Sequence, residues 1–184
     1  MPLTLILGPM KSGKSMDLIT RFAPLQYTNY SFAMYQPSRN VRDQQISTRN
    51  GINMAATKVH SLREAIGKQL HTVGVDEMHM FPGEEADAVA ELLKEGAHVI
   101  ISSLDTDYQG LLFEVIKKLF EIGPDAVHYR RAACDICRSP DAIYTQVLKN
   151  GVAMTSGLPP SVPDDGTFQY KSVCRDCFVR PLKI

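Results

Sequence analysis

The chain has 184 residues, 44% of them hydrophobic, with 20 Lys+Arg balanced by 20 Asp+Glu and no Trp. At roughly 100–200 residues per domain this is one domain, or one core with a small appendage, and it is long enough to bury a core without disulfides. A net charge of zero and the lack of any run of four basic residues argue against nucleic acid as the main partner, because neutralising phosphates needs a basic stripe.

The apolar run Leu3–Leu7 predicts a first buried strand. No basic segment or cleavage-site pattern around it marks a secretory leader, and no stretch approaches the roughly 18 apolar residues that span a bilayer. The expectation is a soluble, cytoplasmic protein. The strand runs into Gly8-Pro9-Met10-Lys11-Ser12-Gly13-Lys14-Ser15, a match to G-x-x-x-x-G-K-S/T. Each part has a physical reason. The glycines let the backbone curl so that N–H groups face phosphate oxygens, and the following helix adds its positive dipole end. In this pattern Lys14 reaches the β and γ phosphates of ATP or GTP and Ser15 holds Mg²⁺. So short a pattern recurs by chance, but here it sits between an apolar strand and an amphipathic helix, the context that a phosphate-binding loop requires.

A helix is predicted over Lys14–Ala23, stopped by Pro24, then a strand over Phe32–Tyr35 and a helix over Leu62–Leu70 with Ser61 as its N-cap. The apolar strand Val73–Asp76 ends in the pair Asp76-Glu77. At the C-terminal edge of a parallel sheet, Asp76 is placed to position Mg²⁺, and Glu77 to take a proton from an attacking hydroxyl or water. A solvated acidic turn is the plainer reading of Glu77 taken alone. Further helices follow at Glu84–Lys94 and Leu112–Phe120, with strands at Val99–Ser102 and, less clearly, Val127–Arg130. The alternation of near-continuous apolar strands with amphipathic helices predicts an α/β fold, a mostly parallel sheet with helices on both faces.

From residue 133 the composition changes. Gly157, Pro159, Pro160, Pro163, Asp164, Asp165 and Gly166 exclude a regular helix or central strand there. The four cysteines stand as Cys134-x-x-Cys137 and Cys174-x-x-Cys177, two knuckles that supply four sulfurs to a tetrahedral Zn²⁺. Redox pairs or disulfides are the alternatives, disfavoured by the doubling of the motif and by a reducing compartment. The 36 intervening residues make a long loop tied at its base. The expected division is residues 1–132 as an ATP-binding α/β unit and 133–184 as a zinc-ribbon unit.

Taken in order, these motifs resemble the type II thymidine kinases, the P-loop and zinc-ribbon family, over nearly the whole chain. The phosphate loop is similar to its Gly-x-Met-x-Ser-Gly-Lys-Ser/Thr, and Pro37-Ser-Arg-Asn40-Val-Arg42 to its Lys-Pro-x-x-Asp-x-Arg. Thr48-Arg49-Asn50-Gly51 resembles its Ser-Arg/His-x-Gly segment, and Asp76-Glu77-Met-His-Met-Phe81 its Asp-Glu-x-x-Phe-Phe. Leu104-Asp105 through Tyr108, Gly110 and Phe113, and Tyr170 through Cys174 and Cys177, fit two further motifs. Asn40 replaces an Asp, Tyr108 replaces a Phe, and residues 155–166 are more proline-rich than the family's loop and lack its Val-x-Ile/Val-Gly-Gly.

The resemblance implies an ATP-dependent thymidine kinase with Glu77 as catalytic base and Asp76 and Ser15 serving Mg²⁺. Gly8 to Ser15 and Arg42 would bind ATP, and structural Zn²⁺ would sit on Cys134, Cys137, Cys174 and Cys177. Met10, Phe81, Leu104, Phe113 and Tyr170 would line the nucleoside pocket, under a lasso whose backbone grips the base. A homotetramer, with no nucleic-acid or membrane partner, is implied as well. A kinase for deoxyuridine or another modified pyrimidine nucleoside is the neighbouring expectation. A P-loop NTPase whose zinc ribbon binds nucleic acid or protein is the one from a different class.

Overall fold

The structure, a computed structural model, describes residues 2–40, 45–47, 53–162 and 166–181. Six strands form one all-parallel sheet: β1 (Leu3–Leu7), β2 (Phe32–Pro37), β5 (Thr57–Val59), β6 (Thr72–Val75), β7 (His98–Ser103) and β8 (Ala126–Tyr129). Their order across the sheet is β5-β2-β6-β7-β1-β8. A two-stranded hairpin of β3 (Ile46–Ser47) and β4 (Asn53–Met54) stands apart.

The alternation of side chains along each strand divides the core into two layers. Leu3, Leu5 and Leu7 of β1, with Val73, Val75, Val99 and Ile101, pack under α2 (Glu85–Lys94) and α3 (Glu114–Ile122). Ile6, Met34 and Ile100 face the other way, against Leu18, Ile19 and Phe22 of α1 (Lys14–Phe22). Helices therefore cover both faces, as the apolar strands require. Gly74 in β6 is a packing necessity: a Cβ there would lie 2.8 Å from Phe22 Cζ, so α1 seats closely only over a glycine.

The helix expected at Leu62–Leu70 is instead one 3₁₀ turn, Leu62–Ala65. Its N-terminal signal is real, since Ser61 and Glu64 form a capping box. The turn cannot propagate, because Gly67 and Gln69 take φ of 78° and 51° and the chain swings into β6. Helix α1 stops one residue early, and Pro24 starts a 3₁₀ stretch over Ala23–Tyr27. Helices α2 and α3 start one and two residues later than expected, and α3 ends at Gly123 in the left-handed conformation.

Beyond residue 133, β9 (Tyr144–Lys149) pairs antiparallel with β10 (Val152–Ala153) and β11 (Gln169–Val173). Ala132, Cys134, Ala142, Val173, Cys174 and Phe178 make a third small core there, with Tyr144 stacked on Phe178 at 4.3 Å. Among the described residues no helix is long and apolar enough to cross a membrane.

Candidate active site

Strand β1 delivers the chain into the phosphate-binding loop at Gly8, whose φ of 147° suits only glycine and where a Cβ would lie 2.2 Å from the Arg130 carbonyl oxygen. Gly13, at φ 81°, caps α1 in the left-handed conformation. Within the loop, Ser12 Oγ and Lys14 Nζ both donate to the Pro9 carbonyl at 2.8 Å. Lys14 is buried, and burial lowers its pKa while the carboxylates of Glu77, Asp76 and Asp105 pull it back up.

Asp76 leaves the end of β6, separated from β1 by β7, yet its Oδ1 stands 3.4 Å from Ser15 Oγ. The last residues of β7, Ser102 and Ser103, are small and fully buried, which leaves room for the carboxylate to cross that strand. Burial first, and the Glu77 charge second, raise Asp76 to about 6. Two hard oxygens this close, one of them a carboxylate whose charge burial penalises, suit Mg²⁺.

Glu77 has φ 54°, an unusual conformation for a residue with a side chain. Continued strand geometry sends successive side chains to opposite faces. The left-handed turn breaks that alternation, so Asp76 and Glu77 both act on Lys14. Such strain of order 1–3 kcal/mol concentrates at functional sites. His79 Nδ1 lies 3.4 Å from Glu77 Oε2 and 3.5 Å from Ser103 Oγ, and its ring meets Phe113 at 5.0 Å.

The remaining expected residues are distributed unevenly. Phe81 and Phe113 are 5% and 6% exposed and belong to the main core, with Leu104 packed against it. Met10 is bound through its backbone to Thr145 and Ser172, and Tyr170 lies on β11 with its hydroxyl donating to the Val162 carbonyl at 3.2 Å. Arg42 and the Thr48–Gly51 motif lie outside the described residues. Asn40 is buried, its amide 3.3 Å from Gln36 Oε1 and its carbonyl accepting from Lys58 Nζ at 2.5 Å.

The sulfurs of Cys134, Cys137, Cys174 and Cys177 all lie within 4.8 Å of one another. Cys137 and Cys174 sulfurs are 3.6 Å apart, too far for a disulfide and close to the edge of about 3.8 Å that a tetrahedron with Zn–S near 2.3 Å requires. Burial opposes ionisation of Cys134, but the N–H groups of Cys137, Cys174 and Ile136 lower it to about 6, whereas burial and the neighbouring thiols push Cys177 up to about 12. Four sulfurs this close can all be thiolates only around a cation, and the donor set fits zinc.

A family model described as thymidine kinase matches residues 1–178. The chain belongs to the thymidine kinase family. A thymidine kinase of Mycoplasma capricolum subsp. capricolum is 28% identical over an alignment of 192 residues, covering 97% of this chain and 89% of that one. Domain III of the Thermotoga maritima replication initiation protein DnaA superposes with a TM-score of 0.42 at 20% identity, over 70% of this chain and 54% of that one, a likeness too slight to bear on fold or function. Thymidine kinase family membership makes the chain a phosphotransferase. The linear sequence gives no motif that brings His79, Thr145 and Ser172 beside Glu77 and the phosphate-binding loop, where the structure places them. His79 carries a weak signal, standing two residues after the acidic pair.

Proposed function

We propose that this thymidine kinase family member transfers the γ-phosphoryl group of ATP to the 5′-hydroxyl of thymidine, giving thymidine monophosphate and ADP. The observation that carries the reading is the left-handed turn at Glu77, which sets a second carboxylate beside the buried Asp76 and within the field of Lys14. Asp76 serves the dication with Ser15, leaving Glu77 to accept the 5′-hydroxyl proton as the oxygen bonds to the γ phosphorus and the bond to ADP breaks. Mg²⁺, when bound, neutralises phosphate charge. Lys14 exchanges its contact with the Pro9 carbonyl for phosphate oxygens, and the loop N–H groups add positive potential.

Residues 1–132 bind ATP, with Arg42 as a further phosphate contact. Residues 133–184 enclose the nucleoside between Met10, Phe81, Leu104, Phe113 and Tyr170, with Zn²⁺ on the four cysteines holding the lasso. A cytoplasmic homotetramer goes with this reading, and light scattering measures the assembly.

Replacing Glu77 with Gln keeps the shape and removes the base. Turnover falls by about 10²–10⁴ while ATP affinity, measured by calorimetry, stays within about twofold of wild type. Wild-type turnover in the Glu77→Gln variant removes Glu77 from the base role.

A further inference from the structure

The tip of the phosphate-binding loop is held by groups that belong to the cysteine-bearing part of the chain. Met10 donates its N–H to Thr145 Oγ1 on β9 at 3.0 Å, and its carbonyl accepts from Ser172 Oγ on β11 at 2.5 Å. Lys11, at φ 64°, sends its Nζ to Asp135 Oδ2 at 2.6 Å. Asp135 lies between Cys134 and Cys137, and the same oxygen accepts from Ser172 N–H at 2.8 Å while Asp135 N–H donates to the Ser172 carbonyl at 2.8 Å. Two residues further on, Cys174 N–H points at Cys134 Sγ at 3.5 Å. One carboxylate oxygen thus joins the first cysteine knuckle, strand β11 and the phosphate loop.

A phosphate loop works by aiming N–H groups, and fixing a flexible backbone costs conformational entropy at every residue. Holding the loop beforehand removes part of that cost from ATP binding. Both hydrogen-bonding groups of Met10's backbone are committed to side chains outside the loop, which sets its tilt. The brace is only as rigid as the knuckle that carries Asp135.

We propose that Asp135, Thr145 and Ser172 are positioning residues for the phosphate-binding loop, and that metal loading at the four cysteines and ATP binding at the loop strengthen each other. The inference rests on the reading of an ATP site and a zinc site, and does not depend on thymidine being the acceptor. Coupling of this kind is reciprocal, so it is measurable from either end.

Zinc affinity is measured by equilibrium competition with a chromogenic chelator, with and without saturating Mg²⁺-ATP, and ATP affinity is measured by calorimetry on wild type, Lys11→Met, Asp135→Asn and Ser172→Ala. ATP tightens zinc binding by about fivefold or more, and each substitution weakens ATP binding by about fivefold. Lys11→Met, whose side chain lies outside the knuckle, keeps the measurement valid where Asp135→Asn impairs zinc binding. Asp135→Asn in a Lys11→Met background adds less than it does alone. Equal zinc affinity with and without ATP, or unchanged ATP affinity in zinc-loaded variants, overturns the proposal. Wild-type protein that binds no ATP removes the phosphate-site reading, a failure distinct from absent coupling.

Discussion

Tyr108 stands where the family has phenylalanine, and its buried side chain ends in a hydroxyl that donates to the Leu158 carbonyl at 3.0 Å and accepts from the Leu158 N–H at 3.2 Å. Next to it, Gln109 Nε2 donates to the Thr155 carbonyl at 2.8 Å. The loop over residues 154–162 is therefore pinned through its backbone by the Leu104–Phe113 segment. Restoring the family residue by Tyr108→Phe keeps the ring and deprives the Leu158 N–H and carbonyl of their shared partner, a cost of about 1 kcal/mol. Steady-state kinetics should give a thymidine KM raised roughly fivefold with the ATP KM unchanged. Parallel rises in both constants would show that the hydroxyl supports the whole site instead of the nucleoside side.

At the scale of elements, α1 is the piece on which the site depends, since it carries Lys14 and Ser15 and rests on a glycine. A Gly74→Ala substitution drives its Cβ into Phe22 and costs about 1–3 kcal/mol of overpacking. The expected result is a lower Tm with weakened ATP binding, and a Tm unchanged from wild type contradicts that packing. Helix α1 is also fastened just past the end of β8, where Arg130 Nη2 meets Asp17 Oδ2 at 2.6 Å, while within the helix Arg21 Nε meets Asp17 Oδ1 at 2.9 Å. Burial pushes the Asp17 carboxyl up, but the two arginines outweigh it and hold it below the usual carboxylate range. A depressed folded value means stability that is present above the unfolded pKa near 3.9 and lost as pH falls through the folded one. Asp17→Asn should destabilise by about 1 kcal/mol or less at neutral pH, with the gap to wild type in acid-denaturation curves closing as pH falls below the unfolded carboxylate value and through the lowered folded one.

The elements legible in the sequence are those with a long apolar run or a clear helical period. Leu3–Leu7 is expected as it stands in β1, and α2 to within one residue. Strands β5, β9 and β11 leave no comparable signal because they are short or carry mixed polar faces whose pairing is set by distant partners. The Leu62–Leu70 helix fails on a correct start signal followed by left-handed residues. In the site, the linear motifs around Lys14, Asp76 and the cysteines are readable because their chemistry lies in local spacing. Thr145, Ser172 and Asp135 are not, since each acts on Met10 or Lys11 across more than 120 residues of sequence.

At the scale of the whole molecule, the three cores formed by the described residues, one large and two small, are tied together by a few polar joints where the phosphate-binding loop meets the cysteine-bearing strands. The four-sulfur cluster sets the geometry of the third core, so purified protein should carry about one Zn²⁺ per chain. Stripping the metal should lower Tm and thymidine affinity together in scanning and titration calorimetry. Metal-free protein with full stability and unchanged thymidine affinity contradicts the clasp.

The central claim concerns the acceptor. It is tested most directly by incubating wild-type protein with Mg²⁺, γ-labelled ATP and a panel of nucleosides and following transfer of the label. The account predicts labelled thymidine monophosphate as the favoured product, formed at a rate that Glu77→Gln lowers by about 10²–10⁴. Label released only as inorganic phosphate, or carried to other nucleosides while thymidine stays inert, would contradict it.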